Sequence, residues 1–186
     1  MLDIIFDDAQ ERMNKAVNVI TEELAKLRTG KATPALIEHV KVEAYGSMVP
    51  MNQVANIGTP DATLIVVNPY DKSLVGPVEK AITNADLGLN PSNDGQVIRV
   101  PVPHLSEERR KELVKIAHRY AEEGRVAIRN IRRDANDHIK KAEKEESGIS
   151  EDEMHRSLDR VQELTDENIT RIDDLLKKKE EQILDV

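Results

Sequence analysis

Apolar residues near the amino terminus recur at steps of three and four positions. They are Leu2, Ile5, Phe6, Ala9, Met13, Ala16, Val17, Ile20, Leu24 and Leu27. This spacing places one apolar stripe along an amphipathic helix. Arg28 and Gly30 then supply a basic last turn and a residue suited to the left-handed C-terminal position. The pattern predicts a first helix that ends near Thr29.

The same period returns after Pro103 and continues almost to the carboxyl terminus. Ser106 followed by Glu107 and Glu108 predicts a helix start, and the next stop signal is Ser147-Gly148. A helix of about 41 residues would be about 60 Å long. Ser150 and Glu153 then predict a capping box for another long helix.

The middle of the chain has the period of strands and contains all eight prolines. Residues 39–45 alternate polar and apolar, which predicts a half-buried strand, and residues 96–100 alternate again after the turn signal at 93–95. The continuous apolar run at 63–67 predicts a strand covered on both faces.

One helix is predicted within this middle segment. Asp71 or Ser73 can cap a helix that continues to about Ala85, with Pro77 tolerated if it lies near the first turn. Strand, helix and strand with small hairpins make a compact α/β domain of about 70 residues.

The helices at both chain ends must bury their apolar stripes together. We therefore predict an α+β fold in which residues 1–30 and 105–186 form a long three-helix bundle and residues 31–104 form an inserted α/β domain. The chain would cross between the two domains twice. The crossings are candidate hinges, and their residues are Thr29, Gly30, Lys31, Pro103, His104 and Leu105.

Charge adds a functional expectation to this architecture. The whole chain carries −8 at neutral pH, but the window from Arg109 to Arg133 has nine Lys or Arg and three Glu, a net charge of +6. A basic helix in an acidic protein favours contact with a polyanion, and its arginines suit bidentate binding of phosphate. We term the predicted positively charged face the basic ridge: Lys111, Lys115, His118, Glu122, Arg125, Arg129 and Arg132, bordered by Arg119 and Arg133.

Two alternatives compete with a polyanion surface. The ridge could be a solvated helix face whose arginines pair with acids of neighbouring helices, although few acids lie four residues away along the chain. The chain could also be a structural or chaperone-like coiled-coil adaptor that binds other helices through apolar seams. The polyanion interpretation requires that the guanidinium groups are not occupied by intramolecular ion pairs.

Other chemistry finds little support in the sequence. The chain has no Cys, and its five His lack the spacing of metal ligands. It has neither a phosphate-binding glycine loop nor a nucleophile elbow, and no apolar run of about 20 residues. We expect a cytoplasmic protein that is not an enzyme and binds no cofactor, metal or membrane.

Several motifs, in order, resemble the ribosome recycling factor family from end to end. They are LRTGKA at 27–32, VKVEAYG at 40–46, NPYDKS at 68–73, NPSNDG at 90–95, IRVPVP at 98–103, LSEERRKEL at 105–113 and EGRVAIRNIRRDA at 123–135. The resemblance implies an L-shaped monomer whose bundle forms the long arm. It also implies action on the post-termination ribosome with elongation factor G and GTP hydrolysis, which splits the subunits and releases mRNA and tRNA.

The resemblance also assigns the residues that contact RNA. It implies that arginines of the second long helix contact large-subunit rRNA, which here means Arg125, Arg129, Arg132 and Arg133. Arg28, Arg109 and Arg110 are expected as further contacts.

Overall fold

The computed structural model describes residues 1–145 and 148–185, so Ser147 of the predicted helix stop lies outside the described residues. The chain divides into two compact units: Met1–Arg28 with Glu107–Val186, and Thr29–Ser106. The sequence placed these boundaries after residue 30 and before residue 105.

Helices dominate the first unit and short strands the second. The elements in chain order are α1 (Leu2–Ala25), β1 (Lys41–Ala44), β2 (Ser47–Pro50), α2 (Met51–Val54), β3 (Ala55–Asp61), β4 (Leu64–Pro69), α3 (Val75–Asn84), β5 (Ser92–Asn93), β6 (Ile98–Pro101), α4 (Glu107–Lys144) and α5 (Glu151–Leu184). Short 3₁₀ turns cover Pro34–Leu36 and Lys72–Leu74.

Helices α1, α4 and α5 pack against one another and share one apolar core, which confirms the predicted three-helix bundle. The capping box of α5 is also confirmed. The Glu153 amide donates to Ser150 Oγ at 3.2 Å, and the Ser150 amide donates to Glu153 Oε2 at 2.9 Å. Among the described helices, none has the length and apolar content needed to span a membrane.

The predicted end of α1 near Thr29 is wrong, because the helix ends at Ala25. Gly30 does adopt the left-handed conformation, with φ of +73°, but it does so in the connecting segment. A Cβ atom at Gly30 would lie 2.9 Å from Leu105 Cγ, so the glycine allows the two connecting segments to approach closely. Arg28 therefore follows the helix and does not belong to its last turn.

Gly124 lies where α4 packs closely against both α1 and α5. It is a buried residue of α4. A Cβ atom there would lie 2.6 Å from Ile20 Cγ1 on α1 and 2.9 Å from Ile172 Cδ1 on α5. The three helices can pack at this distance only because the position has no side chain.

Two antiparallel sheets form the α/β unit: β1 pairs with β2, and the second sheet has the order β3-β4-β6-β5. The prediction that residues 63–67 are covered on both faces is wrong. In β4, Ile65 and Val67 are buried, whereas Leu64 and Val66 are only partly covered. The reason is that β4 turns one face to the core and the other towards solvent, as strands of antiparallel sheets commonly do.

Asp71 caps the 3₁₀ turn Lys72–Leu74 that leads into α3, whereas the N-cap of α3 itself, Leu74, has no side-chain cap. The Ser73 amide donates to Asp71 Oδ1 at 2.9 Å, and Pro77 is the third residue of α3, within its first turn. In the turn before β6, the backbone amides of Val97 and Gln96, with the Arg99 guanidinium, lower the pKa of Asp94 to about 2. The side chains at both turns are therefore ionised at neutral pH and fix the local backbone.

Candidate nucleic-acid interface

The basic ridge lies along the edge where α4 packs beside α5. His118, Arg125 and Arg132 are seven residues apart, and their contacts on α5 are Glu180, Asp173 and Gln162. Seven residues are close to two helical turns, so the three side chains follow the same edge. Part of the ridge therefore lies within reach of the side chains of α5.

Arg125 and Arg129 are held by intramolecular ion pairs. Arg125 donates to Asp173 Oδ1 through Nη2 at 2.6 Å and Nε at 2.8 Å, and its side chain is only 22% exposed. Arg129 Nη2 donates to Glu122 Oε1 at 2.6 Å, and Arg125 Nη1 donates to Glu122 Oε2 at 3.1 Å. The expectation of unpaired arginines is thus wrong for these two residues, and the solvated-face alternative describes them better.

The charges of this cluster reinforce one another. Burial opposes the charge on Arg125, but hydrogen bonds to Asp173 and Glu122 outweigh burial and raise the pKa of Arg125. Hydrogen bonds from Arg129 and Arg125 lower the pKa of Glu122. Both groups are charged at neutral pH, and a phosphate here would have to compete with carboxylates.

Arg132 and Arg133 differ from that cluster. Arg132 is half-buried, and its Nη1 donates to the neutral amide oxygen Gln162 Oε1 at 3.4 Å. Arg133 is exposed, and the neighbouring Asp134 pairs instead with Arg12 of α1 at 2.8 Å. Within the described residues neither guanidinium has a carboxylate partner. Arg132 and Arg133 thus differ from Arg119, Arg125 and Arg129, which all have carboxylate partners.

The remaining candidate arginines lie elsewhere on the bundle unit. Arg109 is exposed and donates to Glu112 Oε2 at 2.8 Å, and Arg28 is exposed just after α1. Arg110 is half-buried, and its Nε has no hydrogen-bond partner among the described residues. Arg109 and Arg132 are separated by about 35 Å of helix, so the candidates form at least two groups.

The described residues contain no group of three or more His, Asp or Glu side chains arranged to hold a metal ion. An open groove of about 880 Å³ lies in the α/β unit between the β1–β2 hairpin and α3. Beside it, Tyr45 donates to Asp71 Oδ2 at 2.5 Å, which raises the pKa of Tyr45 and lowers that of Asp71. The same Asp71 carboxylate caps the 3₁₀ turn that leads into α3, as predicted for a structural residue.

Known proteins similar to this chain are ribosome recycling factors. The sequence model of the ribosome recycling factor family matches residues 20–184. The ribosome-recycling factor of Carboxydothermus hydrogenoformans is 54% identical over 186 residues, with all of both chains covered. That of Symbiobacterium thermophilum is 56% identical over 182 residues and that of Bacillus subtilis 50%, each covering 98% of both chains.

Solved structures similar to this chain are also ribosome recycling factors. A solution structure of a ribosome recycling factor is 46% identical, with a TM-score of 0.79 over 100% of this chain and 98% of the other. A second structure contains the T. thermophilus ribosome recycling factor and the E. coli elongation factor G bound to the E. coli post-termination complex. Its matching chain is 48% identical, with a TM-score of 0.65 over 99% of both chains.

Proposed function

Because the chain belongs to the ribosome recycling factor family, we propose that it binds the post-termination ribosome and, with elongation factor G, separates the subunits. The observation that carries this proposal is the similarity over the full length to ribosome-recycling factors, 54% identity across all 186 residues. The T. thermophilus relative bound with elongation factor G to the post-termination complex supports the choice of partners.

Arg132 and Arg133 form the primary contact with phosphates of large-subunit rRNA. Their guanidinium groups lack carboxylate partners within the described chain, so binding a phosphate does not require an ion pair to break. Arg125 and Arg129 contribute less, since Asp173 and Glu122 already neutralise them. Arg28, Arg109 and Arg110 belong to a second contact further along the bundle.

The chain acts by binding and remodelling, without a reaction of its own, as a monomer in the cytoplasm. Elongation factor G supplies the energy through GTP hydrolysis. The bundle stays bound to rRNA while the α/β unit moves about the two connecting segments, at residues 29–31 and 103–105. Support for a hinge comes from the left-handed Gly30, which lies against Leu105 and joins the two segments at one point.

Salt dependence separates this proposal from a coiled-coil adaptor. We expect the affinity for purified large ribosomal subunits to fall steeply between about 50 and 200 mM salt, because each phosphate contact adds about 0.7 to 0.9 to the log–log slope. An adaptor that binds through apolar seams would change little over that range. A slope close to zero in sedimentation binding assays would contradict the proposal.

A further inference from the structure

The edge between α4 and α5 is built as a ladder of paired side chains. On α4 the basic side chains His118, Arg125 and Arg132 recur every seven residues, and on α5 acids recur every seven residues at Asp166, Asp173 and Glu180. Because the helices run antiparallel, moving seven residues towards the carboxyl terminus of α4 corresponds to moving seven residues towards the amino terminus of α5. His118 pairs with Glu180, and Arg125 pairs with Asp173. The same register places Arg132 opposite Asp166.

The third pair of this ladder is interrupted by an amide. Arg132 Nη1 donates to Gln162 Oε1 at 3.4 Å, and Gln162 Nε2 donates to Asp166 Oδ1 at 2.9 Å. One oxygen of the carboxylate opposite Arg132 therefore accepts from a neutral donor. The one direct hydrogen bond between Arg132 and the amide is long and involves no opposite charge, so no carboxylate neutralises the guanidinium within the described residues.

We propose that Gln162 is a positioning residue that keeps the guanidinium charge of Arg132 available for an rRNA phosphate. This inference rests on the proposed function and adds a residue that itself carries no charge. Gln162 acts in two ways: its amide nitrogen engages Asp166, and its amide oxygen orients Arg132 along the helix edge. Without Gln162, Asp166 would pair with Arg132 as Asp173 pairs with Arg125. A phosphate would then have to displace a carboxylate from Arg132.

The test is Gln162→Glu, which replaces the side-chain amide by a carboxylate. Gln162→Glu places a carboxylate on Arg132, so the affinity for large ribosomal subunits should fall about tenfold at low salt. The log–log salt slope should become shallower by about 0.7 to 0.9, the value of one phosphate contact. Gln182→Glu is the matched control, because it adds the same charge at an exposed position of α5 about 30 Å away. It should leave the slope unchanged.

Rescue distinguishes positioning from a structural role. Gln162→Ala releases Asp166 to pair with Arg132 and should weaken binding. Adding Asp166→Asn removes that carboxylate and should restore the slope and most of the affinity, although the amide oxygen that orients Arg132 is still missing. Thermal unfolding followed by circular dichroism is the check that each variant is folded. The inference is overturned if Gln162→Glu binds like the parent protein, or if the second substitution fails to rescue.

The proposed function is tested separately by Arg132→Ala. If that variant binds weakly and Gln162→Glu binds normally, Arg132 contacts RNA without help from Gln162 and only the inference fails. If Arg132→Ala binds normally with an unchanged slope, the contact assigned to Arg132 is itself wrong, and the inference falls with it.

Discussion

Replacing Arg132 and Arg133 together by alanine is expected to weaken binding to large ribosomal subunits about 100-fold at low salt. Each guanidinium forms a charge-assisted hydrogen bond with phosphate, worth about 1.5–3 kcal/mol, and a factor of ten in affinity corresponds to about 1.4 kcal/mol. The bundle should stay folded, because neither residue belongs to its apolar core. The measurement is sedimentation binding at several salt concentrations, with circular dichroism to monitor the fold.

The matched control removes the same charge from another place. Lys177→Ala with Lys178→Ala deletes two exposed cations of α5. It should reduce affinity only slightly, through the weaker long-range attraction of the whole protein for the ribosome. Equal losses for the two double variants would mean that net charge decides binding, and the local surface on α4 would lose its assigned role.

The largest effect on stability is expected at Gly124. Gly124→Leu would force a side chain into the space between Ile20 and Ile172, where even a Cβ atom would lie only 2.6 Å and 2.9 Å from their carbons. Overpacking of this kind costs about 1–3 kcal/mol or more. Leucine also favours helix over glycine by almost 1 kcal/mol, which offsets only part of the loss. We therefore expect the midpoint of urea unfolding to fall clearly.

Val126→Leu is the control for Gly124→Leu. Val126 lies two residues further along α4 and its side chain is 43% exposed, so a larger residue meets no neighbour of the core. Its unfolding midpoint should change little. A Gly124→Leu variant as stable as the parent protein would show that the helices can separate at this position without cost, contrary to the close packing described here.

The helices of this chain could be predicted because their signals are local. The period of three and four in α1 and the Ser150–Glu153 capping box depend on residues close in sequence, and both are confirmed. The end of α1 was misplaced because Gly30 serves a contact with Leu105, which is distant in sequence.

For a different reason, the sequence predicted β1 within residues 39–45 but did not place its partner strand β2. The turn between these strands uses Tyr45 at φ of 51° before Gly46 at φ of 77°. Asparagine or aspartate is the usual residue before such a glycine, so the turn lacked its common marker. The strand β3 was missed as well, because Pro60 and Gly58 interrupt its pattern.

The candidate interface could be located from the sequence, but the pairing of its arginines could not be predicted. Charge identified the arginines of α4, yet whether each one is paired depends on α5. Asp173 lies 48 residues from Arg125 and Gln162 lies 30 residues from Arg132, so local spacing could not reveal either contact. The recurrence of acids at Asp166 and Asp173, seven residues apart, was visible and would have suggested a ladder once antiparallel packing was assumed.

Recycling itself is tested most directly by sedimenting post-termination ribosomes with this protein, elongation factor G and GTP. The sequence has no Cys, so one Cys can be introduced into each unit and the two joined by oxidation without competing thiols. We expect the unmodified protein to yield separated subunits, and the oxidised variant to bind intact ribosomes and split them only after reduction. Ribosomes that remain intact with the unmodified protein would contradict the proposed function, and full splitting by the oxidised variant would contradict the hinge.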